Sequence, residues 1–179
     1  IMKLQTMVFL ILFTIAQWHL IIGSDENCFR NQAENNVDVF NFPGEWYCHF
    51  VYPKHVASMV NCWVYSKKIN SDGSIDFNYS YHNSRTKQHY SGEGKIHKQN
   101  NSFTYKFYGI ESHLAGEYHL LATDHQQFVV FGGCPHKWDR TPKVSWIDFR
   151  DKVPSKAAID AAAKAVKKLG LDISDYETV

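Results

Sequence analysis

Ile75-Asp76-Phe77-Asn78-Tyr79-Ser80-Tyr81-His82 alternates apolar or aromatic residues with polar ones at every step. Successive side chains of a β-strand point to opposite faces, so a period of two predicts a strand with one buried face. Phe103-Thr104-Tyr105-Lys106-Phe107 repeats the pattern. Because the period also fixes the face, Phe77, Tyr79, Tyr81, Phe103, Tyr105 and Phe107 are expected to share one interior.

Outward from these two stretches, short aromatic-rich runs recur at 45–52, 61–69, 74–82, 86–97, 102–109, 116–123, 127–132 and 143–149. Turn signals separate them, among them Asn70-Ser-Asp-Gly73, Lys98-Gln-Asn-Asn101 and Ala115-Gly116. Such closely spaced runs predict an all-β protein, an antiparallel sandwich or a closed barrel. Residues 24–43 are polar and read as an irregular arm. After Ser155 the texture changes. Ser155 suits an N-cap, Lys167 and Lys168 suit the negative C-terminal dipole, and Gly170 suits the position after the last turn. Ile159, Val166 and Leu169, with Ala162 or Ala163 between them, form one narrow apolar stripe. This predicts a helix packed on the outside of the sheet, with Leu171-Asp-Ile173 as one more edge strand.

The chain has 12 Phe, 10 Tyr and 5 Trp, residue types enriched in strands and in ligand cavities. Basic and acidic side chains nearly balance, at 19 and 18. That balance argues against a nucleic-acid binder, which needs a basic face to neutralise phosphates. Met2-Lys3 precedes the apolar core Met7–Ala16, and Gly23 is a small residue placed for cleavage. Residues 1–23 therefore read as a signal peptide, too short for a membrane span. Residues 24–179 read as one secreted domain, without a membrane span and with equal numbers of acidic and basic residues.

Four Cys remain, Cys28, Cys48, Cys62 and Cys134; in a secreted chain they imply two disulfides with three possible connectivities. No Cys-x-x-Cys pair and no ligand spacing among the scattered His points to a metal or haem, so no cofactor is expected. His55 and His113 fall in predicted loops. The triplets Asn78-Tyr-Ser and Asn100-Asn-Ser are glycosylation sequons, and Asn78 lies on the polar face of its strand. No Gly-x-Ser-x-Gly elbow is present, which argues against a hydrolase. Lys152, Lys156, Lys164, Lys167 and Lys168, interleaved with Asp151 and Asp160, read as a solvated face.

Three motifs then carry a resemblance. Phe42-Pro-Gly44-Glu-Trp46-Tyr47 resembles the first lipocalin motif, Gly-x-Trp. Leu121-Ala-Thr123-Asp124-His125, followed by Phe128-Val-Val-Phe131, is similar to the second, Thr-Asp-Tyr. Trp146-Ile-Asp-Phe-Arg150 resembles the third, whose Arg precedes a C-terminal helix. The resemblance spans 28–179. More narrowly, Asp25-Glu-Asn-Cys28-Phe-Arg30, Cys62-Trp63 and Ala122-Thr-Asp124 resemble secreted cockroach lipocalins of the allergen and aphrodisin-like types. His125 departs from the usual Tyr, Cys48 is unusual after the first motif, and the C-terminal Cys of many insect members is missing.

The resemblance implies an eight-stranded antiparallel up-and-down barrel with the helix packed outside. It implies Trp46 as the plug of one end, Arg150 stacked across its indole, and Asp124 in a turn at that end. It also implies a Cys28–Cys134 bridge. Cys48–Cys62 is then expected as the second bridge, which requires Cα atoms within about 7 Å.

The function that the resemblance implies is binding and carriage of a small hydrophobic or aromatic ligand, pheromone- or odorant-like, in the barrel. Strand parity proposes the lining: Phe50, Tyr65, Phe77, Tyr79, Tyr81, Phe103, Tyr105, Phe107, Tyr118, Leu120, Val129 and Phe131. The phase of 61–69 is ambiguous. Phe128 and Phe131 have opposite parity, and following Phe131 turns Phe128 outward; the reverse phase stays open. Asp76, Glu93 and Glu117 do not clearly point inward, which favours a neutral ligand over an amine. The alternative is a secreted interaction protein or allergen-like lipocalin acting through its loops with a filled barrel. An enzyme is not expected, since only a free Cys48 or Cys62 would supply a reactive interior group. A monomer or weak homodimer is expected.

Overall fold

The structure, a computed structural model, describes residues 28–34, 42–54, 60–83, 85–99, 102–109, 114–135 and 143–179. The expected signal peptide 1–23, His55, Asn100 and His113 lie outside the described residues.

Eight strands follow in chain order: β1 (Gly44–Tyr52), β2 (Val60–Ile69), β3 (Ile75–Asn83), β4 (Gln88–Gln99), β5 (Ser102–Phe107), β6 (Gly116–Thr123), β7 (Phe128–Pro135) and β8 (Val144–Phe149). Each pairs antiparallel with the next, and β1 pairs with both β2 and β8. The sheet therefore closes on itself and has no free edge among these strands. Between sandwich and barrel, the two readings that periodicity allowed, the structure is a closed up-and-down barrel. Helix α1 (Lys156–Lys168) and a short strand β9 (Glu177–Thr178) complete the chain; β9 pairs with β1 through Phe50↔Thr178 and Val51↔Glu177. The edge strand expected at 171–173 is replaced by a 3-10 turn, Ile173–Asp175, because the Asp172 side chain accepts the Ser174 N–H at 2.8 Å. Such a local bond favours a turn over an extended ladder.

Strand alternation divides the apolar residues between two clusters. The inner one holds Trp46, Tyr65, Phe77, Tyr79, Tyr81, Phe103, Tyr105, Tyr118, Leu120, Val129 and Phe131. The outer one holds Leu121, Phe128, Val130, Ile147 and Phe149, covered by Ala158, Ala162 and Val166 of α1 and by Phe29 and Tyr176. Phe128 thus faces outward and Phe131 inward. Ser155 caps α1, its hydroxyl accepting the Ala158 N–H at 3.1 Å, and Gly170 follows with a left-handed φ of +76°. A cap contributes about 1 kcal/mol. Fully burying Val166 contributes about 1.5–3 kcal/mol, so packing onto the barrel outweighs capping in holding the helix.

Two of the three implied barrel features at the Trp46 end are backbone matters. Gly44 has φ +87°, and a Cβ there would lie 3.2 Å from Arg150 Nη1. Farther along, the β4 glycines make room for rings. A Cβ on Gly94 would come within 2.3 Å of the Phe77 ring and 2.4 Å of the Lys106 carbonyl. Gly94 pairs directly with Phe77 and Gly92 with Tyr79, so the ring of one strand lies over the bare backbone of the next.

The Cys28–Cys134 bridge is formed and ties the N-terminal arm to β7. The Cys48–Cys62 bridge is not: Cys48 is a free, buried thiol. The β1–β2 register runs Trp46↔Tyr65 and Tyr47↔Val64, which sets position 63, not 62, across from Cys48. A one-residue offset in a sheet puts two residues on opposite faces. The Cys62 side chain lies outside the described residues.

Candidate functional site

The barrel interior carries the chemistry, beginning at the Trp46 end. Trp46 is fully buried, and its indole N–H donates to the Phe42 carbonyl at 3.1 Å. The Arg150 guanidinium lies 4.0 Å from the Trp46 ring centroid and donates to the Pro43 and Glu45 carbonyls at 2.7 and 3.1 Å. Cation–π attraction and hydrogen bonding therefore join the end of β8 to the start of β1. At the same end Asp124 Oδ1 accepts the N–H groups of Gln126, Gln127 and Phe128 at 2.8–3.0 Å. Partial burial alone would raise the Asp124 pKa, but these donors outweigh it and hold the carboxyl below its ordinary value. Thr123 donates to the Phe128 carbonyl at 2.7 Å, closing the turn from β6 to β7. His125, in place of the usual Tyr, stacks on Phe42 with ring planes 10° apart.

Comparison with solved structures follows from this architecture. The chain shares 18% identity with the major allergen Per a 4 from cockroaches, with a TM-score of 0.66 over 81% of this chain and 88% of that one. Insecticyanin from the tobacco hornworm Manduca sexta matches at 16% identity, a TM-score of 0.66 and 82% of each chain. The amine-binding protein of Rhodnius prolixus, solved as its tryptamine complex, matches at 16% identity, a TM-score of 0.65 and 82% of each chain. The fold is that of the lipocalins. No known sequence-family profile matches the chain.

Inside this lipocalin barrel the structure places every proposed lining residue except Phe50. Phe50 packs outward, with its ring 6.2 Å from Phe149 in the outer cluster. A register shift between Cys48 and Phe50 in the β1–β8 pairing is the cause. One inserted residue reverses the alternation beyond it. Tyr65 points inward, which resolves the phase of β2.

The aromatic wall is continuous. Tyr105 has Phe77, Phe107, Tyr118, Phe131 and Trp146 within 5.3–6.3 Å, ring centroid to centroid. Toward the end opposite Trp46, Trp63 stacks on Tyr79 at 5.2 Å and on Tyr81 at 4.8 Å, and Tyr81 stacks on Tyr90 at 5.4 Å. Trp63, Tyr90 and Trp146 were absent from the proposed lining, although Trp63 shares the parity of Tyr65.

The interior also holds charge. Asp148 on β8 is fully buried and pairs in register with Cys48 and Val129. The Tyr65 hydroxyl donates to its Oδ2. Its Oδ1 has no hydrogen-bond partner among the described residues. The Cys48 thiol and the Trp146 indole lie near enough to favour the carboxylate electrostatically, without closing a bond of ordinary geometry on Oδ1. Burial pushes the Asp148 pKa up to about 7, against the Tyr65 hydrogen bond and the nearby Lys67 ammonium. Lys67 on β2 is buried, with Nζ 4.9 Å from the Tyr65 ring centroid and 4.8 Å from that of Phe131. Burial pushes its pKa down to about 8, while Asp148 pulls it back up.

These groups correct the expectation of an interior without a carboxylate. Asp76 and Glu93 are exposed on the outer face, but Asp148 points in. Among the described residues no group of three or more His, Cys, Asp and Glu is placed to hold a metal ion. No described helix is long and apolar enough to cross a membrane. Asn78 is exposed on β3, and Asn100 is not described.

Proposed function

We propose that this protein is a secreted carrier that binds one small hydrophobic or aromatic ligand, pheromone- or odorant-like, inside its barrel. The supporting observation is the continuous wall of rings ending on a polar floor, where Asp148 Oδ1 is buried without a partner. A buried acceptor left unbonded costs about 1–3 kcal/mol, and a ligand hydroxyl or amine would recover that. The ligand therefore has a flat aromatic or apolar body and one polar end seated between Asp148 and Lys67. The lipocalin of Rhodnius prolixus solved with tryptamine carries a molecule of this shape, which supports the reading by analogy. The Cys28–Cys134 bridge suits an oxidising, extracellular compartment.

One observation favours the other reading, a filled barrel whose loops make the contacts. Five rings already surround Tyr105, and small barrels can be filled by side chains alone. Extraction and mass spectrometry of protein purified from its natural fluid separates the two. A carrier yields one recurrent small aromatic or apolar compound at close to one per chain. Preparations that yield none, from protein that also takes up no apolar probe, contradict it.

A further inference from the structure

Lys67 is the interior group that carriage of a neutral ligand leaves without a task. A lysine ordinarily keeps its head in water, yet this one is buried on the inward face of β2, between the rings of Tyr65 and Phe131. Its neighbour Lys68 on the same strand is exposed. The nearest opposing charge is Asp148, whose Oδ1 is buried and unpartnered. An amine among aromatic faces, with a carboxyl group beside it, is the arrangement that captures carbonyl compounds.

We propose that Lys67 is a covalent capture site, forming an imine with the carbonyl carbon of an apolar aldehyde that enters the barrel. This rests on the reading of the barrel as a ligand site and narrows the ligand class to aldehydes. The neutral Nζ attacks the carbonyl carbon and, after proton transfer from nitrogen to oxygen, gives a carbinolamine. The protonated Asp148 then gives its proton to the carbinolamine hydroxyl, which leaves as water. The nitrogen lone pair forms the C=N bond, leaving a protonated imine beside the Asp148 carboxylate. Atoms and charge balance, and neither oxidant nor reductant is consumed. Burial supplies both reacting forms near neutral pH, since it holds the Lys67 pKa at about 8 and that of Asp148 at about 7. The Tyr65 and Phe131 rings that face the ammonium also suit a cationic imine.

The test exposes the intact protein to less than one equivalent of cinnamaldehyde with cyanoborohydride, followed by peptide mapping with fragment-ion sequencing. Cinnamyl alcohol, the same skeleton without the carbonyl, is titrated separately. Lys67 is expected to carry at least about tenfold more reduced adduct than Lys68 or any helix lysine, because its lowered pKa enriches the neutral amine. Lys67→Arg should lose that adduct while still binding cinnamyl alcohol. Adduct confined to surface lysines, in protein that does bind the alcohol, overturns the imine and leaves the carrier standing. Failure of both probes to enter overturns both. Mapping on wild-type protein decides the matter even if a variant does not fold.

Discussion

The phenol of Tyr65 donates a hydrogen bond to the carboxylate of Asp148 across the barrel interior, joining β2 to β8 over a sequence separation of 83. Neither residue meets water. The bond places a titratable group inside an otherwise aromatic core, where its protonation couples to folding.

That coupling has a definite sign. The folded-state pKa of Asp148 is raised to about 7 from an ordinary 3.8. Between those values the folded state keeps a proton that the unfolded chain has lost, so stability falls as pH rises. Above about 7 the effect is flat. Lys67 acts oppositely and later: its pKa is lowered to about 8 from 10.5, so stability rises with pH across that interval. Asp148→Asn removes the first slope. Thermal unfolding of both proteins should show wild type losing ground to Asp148→Asn from about pH 4 to 7. Wild type gaining ground in that window would contradict the assignment.

Arg150→Ala removes the stacking on Trp46 and both hydrogen bonds to the β1 entry. Urea unfolding should show a loss of about 1–3 kcal/mol. Arg150→Lys should restore only part of it, because an ammonium is a point charge and does not reproduce the planar fork. An unchanged midpoint in Arg150→Ala would contradict the structural role.

Cys48 should be inert until the barrel opens. Burial, then the charge of Asp148, pushes its thiol pKa well above the ordinary range, so little thiolate is available. Iodoacetamide should label Cys48 at least about tenfold more slowly in native protein than in urea-unfolded protein. A peptide joining Cys48 to Cys62 would contradict the free thiol.

What was legible in the sequence was whatever depends on unbroken alternation. β3 and β5 keep a clean period of two, and their rings lie inside as read. The motifs around Trp46, Asp124 and Arg150 are local in sequence, and their contacts follow. Phe50 was misread because a bulge leaves no mark in an alternating run. The second bridge failed for a related reason: spacing cannot give the β1–β2 register that offsets position 48 from 62. Asp148 shares the parity of Trp146, so its inward aim was readable, but it sat within a stretch whose Arg150 drew a structural reading. Lys67 shares the parity of Tyr65, yet a charged residue at an inward position runs against the pattern that identifies the face.

Titration of N-phenyl-1-naphthylamine, an apolar aromatic fluorophore, into wild type and Tyr105→Ala is the most direct measurement of whether the barrel takes a ligand. Tyr105 touches five other rings of the wall, and one aromatic contact is worth about 0.5–1.5 kcal/mol. The expected result is saturable binding of one probe per chain, weakened about two- to tenfold in Tyr105→Ala. No saturable uptake by wild type, or identical curves for the two proteins, would contradict ligand binding in the barrel.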